Sequence, residues 1–286
     1  MNTKGLSMYR GCRISSGTAK AAIVGTAFAM LGMTASAASA SIIYQDNFSG
    51  SSTLGTLNGA APTVGPIGVA WTAPSSGSYG FSDSGYGLTT VGSDSVNAYL
   101  PFTPVAGQIY TLSAGLDLTS EGSNPNNYPA GDFWMGLGFL SSPGVSGPGW
   151  SNSGAAASPW VLSGYQGANN AVFSGPGTAG AQFFGTGTTS GVNDYSIVLN
   201  TGSSLWSYQV YLTNSAHTNL LVGSSASNPF SSNPTNITAV GFEDGKGLAQ
   251  ASNFSLTDVA VPEPATLGLT GVGALGLLLL KRRKSV

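Results

Sequence analysis

The sequence predicts an all-β fold, an antiparallel β-sandwich of jelly-roll type, flanked by an N-terminal signal peptide and a C-terminal membrane-spanning helix. Three observations carry this expectation. Apolar residues in the body of the chain alternate with period two, and no stretch there has helical period. Clusters of Gly, Pro, Ser and Asn punctuate the alternating runs. Each end of the chain carries an uncharged apolar run beside basic residues. Period-two alternation marks half-buried strands. Many strands without intervening helices fold as stacked antiparallel sheets.

The N-terminal element spans residues 1–40. Arg10, Arg13 and Lys20 give a positive leading region, Ala21 to Gly32 is apolar, and Ala38-Ser39-Ala40 is a small-residue cleavage site. That layout predicts a secretory signal peptide that directs the chain to the Sec export machinery and is cleaved between Ala40 and Ser41. Ala35-Ser36-Ala37 is a second option, and Met8 an alternative start. Cys12 precedes the apolar run, whereas a lipid-modified cysteine follows it, so Cys12 is not assigned that role.

The body, residues 41–260, is long enough for one sizeable core. Tyr110, Leu112, Ala114, Leu116 and Leu118 fall on one face of a strand. Phe133, Met135, Leu137 and Phe139 do the same, with Trp134 opposite. Tyr195, Ile197 and Leu199 repeat the pattern, as do Trp206, Tyr208, Val210 and Leu212, and then Phe254 and Leu256. Turn clusters such as 122–127 and 231–234 lie between them.

Charge narrows the function further. Of nine basic residues, eight lie in the two end segments. Lys246 alone remains in the body against ten acids, a net charge of −9 rather than the −2 of the whole chain. Nucleic acid needs a basic surface to release counterions, so no nucleic-acid partner is expected. The body contains no cysteine and gains no stability from disulfides.

No catalytic residues are assigned. His217 is the single histidine, and one imidazole cannot build a histidine metal cluster. Glycoside hydrolysis needs two carboxylates across one bond. Glu121 and Glu243 are each isolated in turn-like stretches, and Asp194 and the Glu243-Asp244 pair read as solvated. The stretches 175–180 and 271–276 satisfy G-x-G-x-x-G, but neither sits between a strand and a helix. No cofactor is expected. A structural calcium ion is the one candidate, with Asp46, Asp258 or Asp244 as ligands, although no calcium-loop spacing appears. Trp150, Trp160 and Tyr165 lie in Gly/Ser/Pro-rich stretches, as do Trp71 and Tyr79. They read either as pins for long loops or as exposed rings that stack on a sugar. Trp150, Trp160 and Tyr165 are therefore the candidate glycan contacts.

The C-terminal element spans 261–286. Val261-Pro262-Glu263-Pro264-Ala265-Thr266 precedes an apolar run that ends at Leu280 and a basic stop, Lys281-Arg282-Arg283-Lys284. Sixteen uncharged residues, 265–280, make a helix of roughly 24 Å, enough to cross a thin or compressed bilayer with the basic stop held at the cytoplasmic face. The two prolines keep the motif extended.

This ending resembles the PEP-CTERM sorting signal of Gram-negative bacteria. The resemblance implies recognition of the motif Val261, Pro262, Glu263 and Pro264 by the membrane protease exosortase, which then removes the helix and basic tail. It also implies a host that makes exopolysaccharide and forms biofilm. The body resembles secreted concanavalin/laminin-G-like sandwiches, through Asp46-Asn47-Phe48, residues 132–139 and Asn253-Phe254-Ser255-Leu256-Thr257-Asp258. That resemblance implies pairing of the first and last strands, with Asp46 near Asp258. The expectation is a non-enzymatic cell-surface or extracellular-matrix protein that passes transiently through the inner membrane and contacts exopolysaccharide. An extracellular polysaccharide hydrolase and an unprocessed tail-anchored adhesin are the alternatives.

Overall fold

The computed structural model describes residues 39–74, 80–88, 96–117, 134–140, 159–165, 169–173, 182–184, 192–213, 218–222, 228–230, 233–234, 237–245 and 248–261. Among them the regular elements are all strands: β1 (Ser41–Asp46), β2 (Gly80–Phe81), β3 (Tyr86–Leu88), β4 (Val96–Pro101), β5 (Gln108–Asp117), β6 (Trp134–Leu140), β7 (Trp160–Tyr165), β8 (Asn169–Phe173), β9 (Gln182–Phe184), β10 (Val192–Asn200), β11 (Ser207–Thr213), β12 (Thr218–Val222), β13 (Asn228–Pro229), β14 (Ala239–Gly245) and β15 (Leu248–Ala260). Every pairing between them is antiparallel.

They form two sheets. One runs β12-β11-β10-β5-β15-β3-β2, with β1 also on β15 and β13 on β11. The other runs β4-β14-β6-β7-β8-β9. The alternating residues read from the sequence make the interior. Tyr110, Leu112, Ala114 and Leu116 of β5, and Tyr195, Ile197 and Leu199 of β10, are buried together with Met135, Leu137 and Phe139 of β6 and Val240 and Phe242 of β14. Two apolar inner faces packed together explain why Tyr195, Ile197 and Leu199 of β10 are buried while Asp194, Ser196 and Asn200 stand at its outward positions. Each fully buried large side chain contributes roughly 1.5–3 kcal/mol. Leu118 and Phe133 lie outside the described residues.

An aromatic cluster ties the sheets at mid-height. Trp71, from the segment between β1 and β2, stacks on Phe242 with centroids 5.9 Å apart and meets Phe254 of β15 edge-on at 5.0 Å. Phe48 closes the cluster against Trp71 and Phe242. Phe48 holds φ of 51°, a conformation that costs a bulky residue energy. The Asp46 carboxylate holds that turn by accepting the Phe48 N–H at 3.0 Å. Asn253 has φ of 52°, within the register shift between Ser252 and Ser255. Asn tolerates this conformation, and a bulge is where a strand needs it.

Strand β15 pairs with β5 along one edge and with β1, then β3, along the other. First and last strands are therefore adjacent, as the resemblance implied. The register is Ser41 with Asp258 and Asp46 with Phe254. Asp46 and Asp258 thus stand at opposite ends of the ladder, about 13 Å apart at ~3.3 Å per residue. The expectation that they are neighbours is corrected by the antiparallel direction, which brings the start of one strand to the end of the other.

Candidate functional site

Strands β14 and β6 place their chemistry on the face turned away from the core. Phe242 is level with Ala98 of β4 and Leu137 of β6, and all three pack inward. Side chains alternate along a strand, so Glu243, Asn97 and Gly136, the next level row, point to the outer face. One row further lie Tyr99, Gly241, Gly138 and Trp160. The outer face is therefore floored by glycine. At Gly138 an added Cβ would overlap the Trp160 side chain and come within 2.9 Å of its Cα. At Gly245 it would strike the Trp134 indole, 2.6 Å from Nε1. Small residues here are the space that two tryptophans occupy. Glu243, Asn97 and Trp160 are closed off from solvent, while Trp134 and Tyr99 are half-buried.

The inner face carries a second polar group at one end of the sandwich. Asp244 is level with Met135, which is level with Ser163. Ser163 accepts the Asn193 side-chain N–H at 3.4 Å, and Asn193 comes from β10 of the other sheet. Asp244, Ser163 and Asn193 are all buried. Burial pushes the Tyr195 phenol well above its ordinary value, and a hydrogen bond with Ser163 pulls weakly the other way. This layer joins the two sheets through polar groups where the rest of the core joins them through rings.

The sequence-predicted residues divide accordingly. Trp160 heads β7 and is fully buried, so its reading as an exposed loop ring is corrected. The Gly/Ser-rich stretch around it concealed a strand. Tyr165 ends β7, and Trp150 lies outside the described residues, as do Tyr79, Glu121 and His217. Trp71 proves to be a pin: its indole N–H donates to Asp46 Oδ2 at 2.7 Å, and the ring is buried. Asp46 also accepts from Thr63 at 3.3 Å, so its oxygens are spent on the protein. Asp258 accepts the Ser41 hydroxyl. Separated as they are, Asp46 and Asp258 cannot share one calcium ion, whose oxygen ligands lie about 2.3–2.6 Å from it. Among the described residues no group of three or more His, Cys, Asp or Glu is placed to hold a metal.

Glu243 and Asp244 are corrected from solvated turn residues to buried members of β14. As strand neighbours they point to opposite faces, so they cannot flank one glycosidic bond. Asp194 stays exposed on β10. Sequence reasoning missed Asn97 and Tyr99, and it set Trp134 on the opposite face of its strand without giving it a role. The signal for Trp134 was present in Trp134-Met135-Gly136-Leu137-Gly138, whose alternation sets the indole on the glycine side.

Ala40 is described and exposed, and Val261 ends the described chain. Ala38, the rest of the signal peptide, Pro262, Glu263, Pro264, the 265–280 helix and the basic stop Lys281, Arg282, Arg283 and Lys284 lie outside the described residues. Among the described residues no helix is long and apolar enough to cross a membrane.

Fold and ends together define an all-β antiparallel sandwich with a C-terminal address. The address is specific: residues 260–284 match the PEP-CTERM protein-sorting motif. No curated protein matches the chain. Similar solved structures include an endo-1,3-beta-glucanase from Streptomyces sioyaensis, 12% identical, TM-score 0.46, over 77% of this chain and 97% of that one. A basic winged bean lectin with Tn-antigen is 9% identical, TM-score 0.43, over 78% and 98%. Lectin II from Ulex europaeus is 12% identical, TM-score 0.40, over 68% and 92%. At these scores the likenesses carry no argument about activity.

Proposed function

We propose that this chain is an exported, non-enzymatic cell-surface or extracellular-matrix protein that a membrane-bound exosortase sorts through its C-terminal motif. The observation that carries the reading is the match of 260–284 to the sorting motif. The order of parts supports it: an extended Pro-Glu-Pro motif suits a protease, an apolar run suits a membrane, and a basic stop fixes orientation. The test is mass spectrometry of the mature C-terminus in the native host and in an exosortase-deficient strain. Loss of the Lys281–Val286 tail only when the enzyme is present supports the reading. An intact tail in both overturns it in favour of a tail-anchored adhesin.

The sandwich itself is read as a contact surface for neutral exopolysaccharide, through Trp134 and Tyr99 on the outer face of the six-stranded sheet. The half-buried Trp134 indole lies over Gly245 and, with the half-buried Tyr99 further along the same face, offers an aromatic surface on which a sugar face stacks. The net charge of −9 disfavours an anionic polymer. Retention on purified neutral exopolysaccharide, lost on Trp134→Ala, is the expected result; no retention removes glycan contact and leaves sorting intact. The hydrolase reading requires release of reducing ends that Glu243→Gln abolishes. The opposite facing of Glu243 and Asp244 speaks against that pair.

A further inference from the structure

The two ends of the sandwich differ in charge and in what leaves them. Gln108 begins β5, Asn200 ends β10 and Ala260 ends β15, and these three ends are level, since Ala260 pairs with Gln108 and Asn200 with Ile109. β1 begins beside them, with Ser41 opposite Asp258. The segment that precedes Ser41 and the segment that follows Val261 therefore leave from one end, on adjacent strands. Val261 is held firmly: its N–H donates to Gly107 O at 2.9 Å, and its Cγ2 would lie 2.6 Å from a Cβ added at Gly202.

Reach then becomes decisive. The apolar run begins at Ala265, four residues beyond Val261. Four extended residues span at most about 14 Å. The polar headgroup layer takes up roughly 6 Å on each side of a bilayer. With 265–280 in a membrane, this end of the sandwich stands no more than about 8 Å from the headgroups, less than the width of one helix.

The surface at that end suits the position. Val105 is 62% exposed and Leu205 41% exposed. The neighbouring Ala106, Gly107, Gly202, Ser203 and Ser204 are uncharged. The nearest described carboxylate, Asp258, accepts the Ser41 hydroxyl. The other described carboxylates on these strands lie toward the far end: Asp117 ends β5, and Asp194 is level with Gly115. Anionic lipid repels carboxylates, and among the described residues of these strands the end that approaches it carries Asp258 alone, two residues back from Ala260.

We propose that this end, built from residues 105–107, 201–205 and 261, is a lipid-facing surface, with Val105 and Leu205 resting at the headgroup boundary of the membrane that holds the tail. The proposal rests on the reading of 265–280 as a membrane segment. Cys12 is the only cysteine in the chain, so Cys12→Ser gives a clean background for single cysteines. The full chain carrying Val105→Cys, Leu205→Cys or Val192→Cys, labelled with an environment-sensitive fluorophore, is reconstituted into phosphatidylcholine–phosphatidylglycerol vesicles containing a headgroup-level spin-labelled lipid. Val192 is 43% exposed and begins β10 at the far end, about 26 Å from Asn200 at ~3.3 Å per residue. Loss of fluorescence at 105 and 205 but not at 192 is the expected result. Equal quenching at all three positions, or at none, in chains that float with the vesicles overturns the proposal while the sorting reading stands. Chains that do not float with the vesicles overturn both.

Discussion

Trp71 and Asp46 are joined by a 2.7 Å hydrogen bond from the indole nitrogen to a buried carboxylate, closing twenty-five residues of chain onto the first strand. The same carboxylate holds the Phe48 turn. Trp71→Phe keeps a ring among Phe48, Phe242 and Phe254 but removes the donor. The expected loss is about 1–3 kcal/mol, the cost of leaving a buried acceptor short of a partner. Urea unfolding measures it, and a change near zero would show that water replaces the indole.

Gly138 and Gly245 both sit under tryptophans, yet their substitutions should differ. At Gly138 an added Cβ meets the backbone and Cβ of Trp160, which is buried and cannot swing aside. Gly138→Ala should cost about 1–3 kcal/mol by overpacking. At Gly245 the clash is with the far end of the half-buried Trp134 ring. Gly245→Ala should cost less and shift the tryptophan emission. Thermal melts and fluorescence of the two variants distinguish the cases.

Gly85 and Gly59 both need a left-handed backbone, at φ of 80° and 84°. Only Gly85 is also crowded, by the carbonyl of Ala251, whose N–H its own carbonyl accepts at 2.9 Å. Gly59→Ala should cost about 1–2 kcal/mol for the backbone alone. Gly85→Ala should cost clearly more, because its neighbour is main chain on β15. Equal melting temperatures for the two variants would refute this.

Asp83 sets a pH dependence. Burial, and then the nearby Asp46 carboxylate, hold its carboxyl above the usual range. The native state therefore binds this proton more tightly than the unfolded chain does. Its stabilising contribution is complete below the unfolded value and is lost as pH rises through the raised folded value. Asp83→Asn should be slightly more stable than the parent at neutral pH, by less than about 0.5 kcal/mol because solvent screens a partly exposed group. The gain should vanish below about pH 4. Denaturant midpoints across that range test the sign.

The strands legible in the sequence were those whose large apolar residues alternate with polar residues or glycine, β6 among them although it is buried on both faces. Tyr110 to Leu116 and Tyr195 to Leu199 alternate because every second place faces away from the core, where Thr111, Ser113 and Ser196 stand. Strand β14 was not legible at its end, because it is buried on both faces and still carries Glu243 and Asp244. Charged letters signal solvent in sequence, whereas here they mark a polar row outside and a polar layer inside. Trp160 misled for the converse reason: the Gly and Ser around it read as loop, but glycine on β6 is what lets the ring lie down. Strand adjacency at the chain ends was foreseeable, while its register was not, since direction alone decides which aspartate meets which end.

The zippering of β1 onto β15 has a kinetic consequence. Ser41 and Asp258 are separated by 217 residues, so the principal sheet cannot be completed until nearly the whole polypeptide is available. Contacts this distant in sequence form late, because the entropy of closing so large a loop comes due before any reward. If the chain is exported unfolded, as the reading of residues 1–40 as a signal peptide implies, such delay is an advantage: the final strand, next to the sorting peptide, is also the piece that locks the fold, so compaction would wait until passage is almost finished.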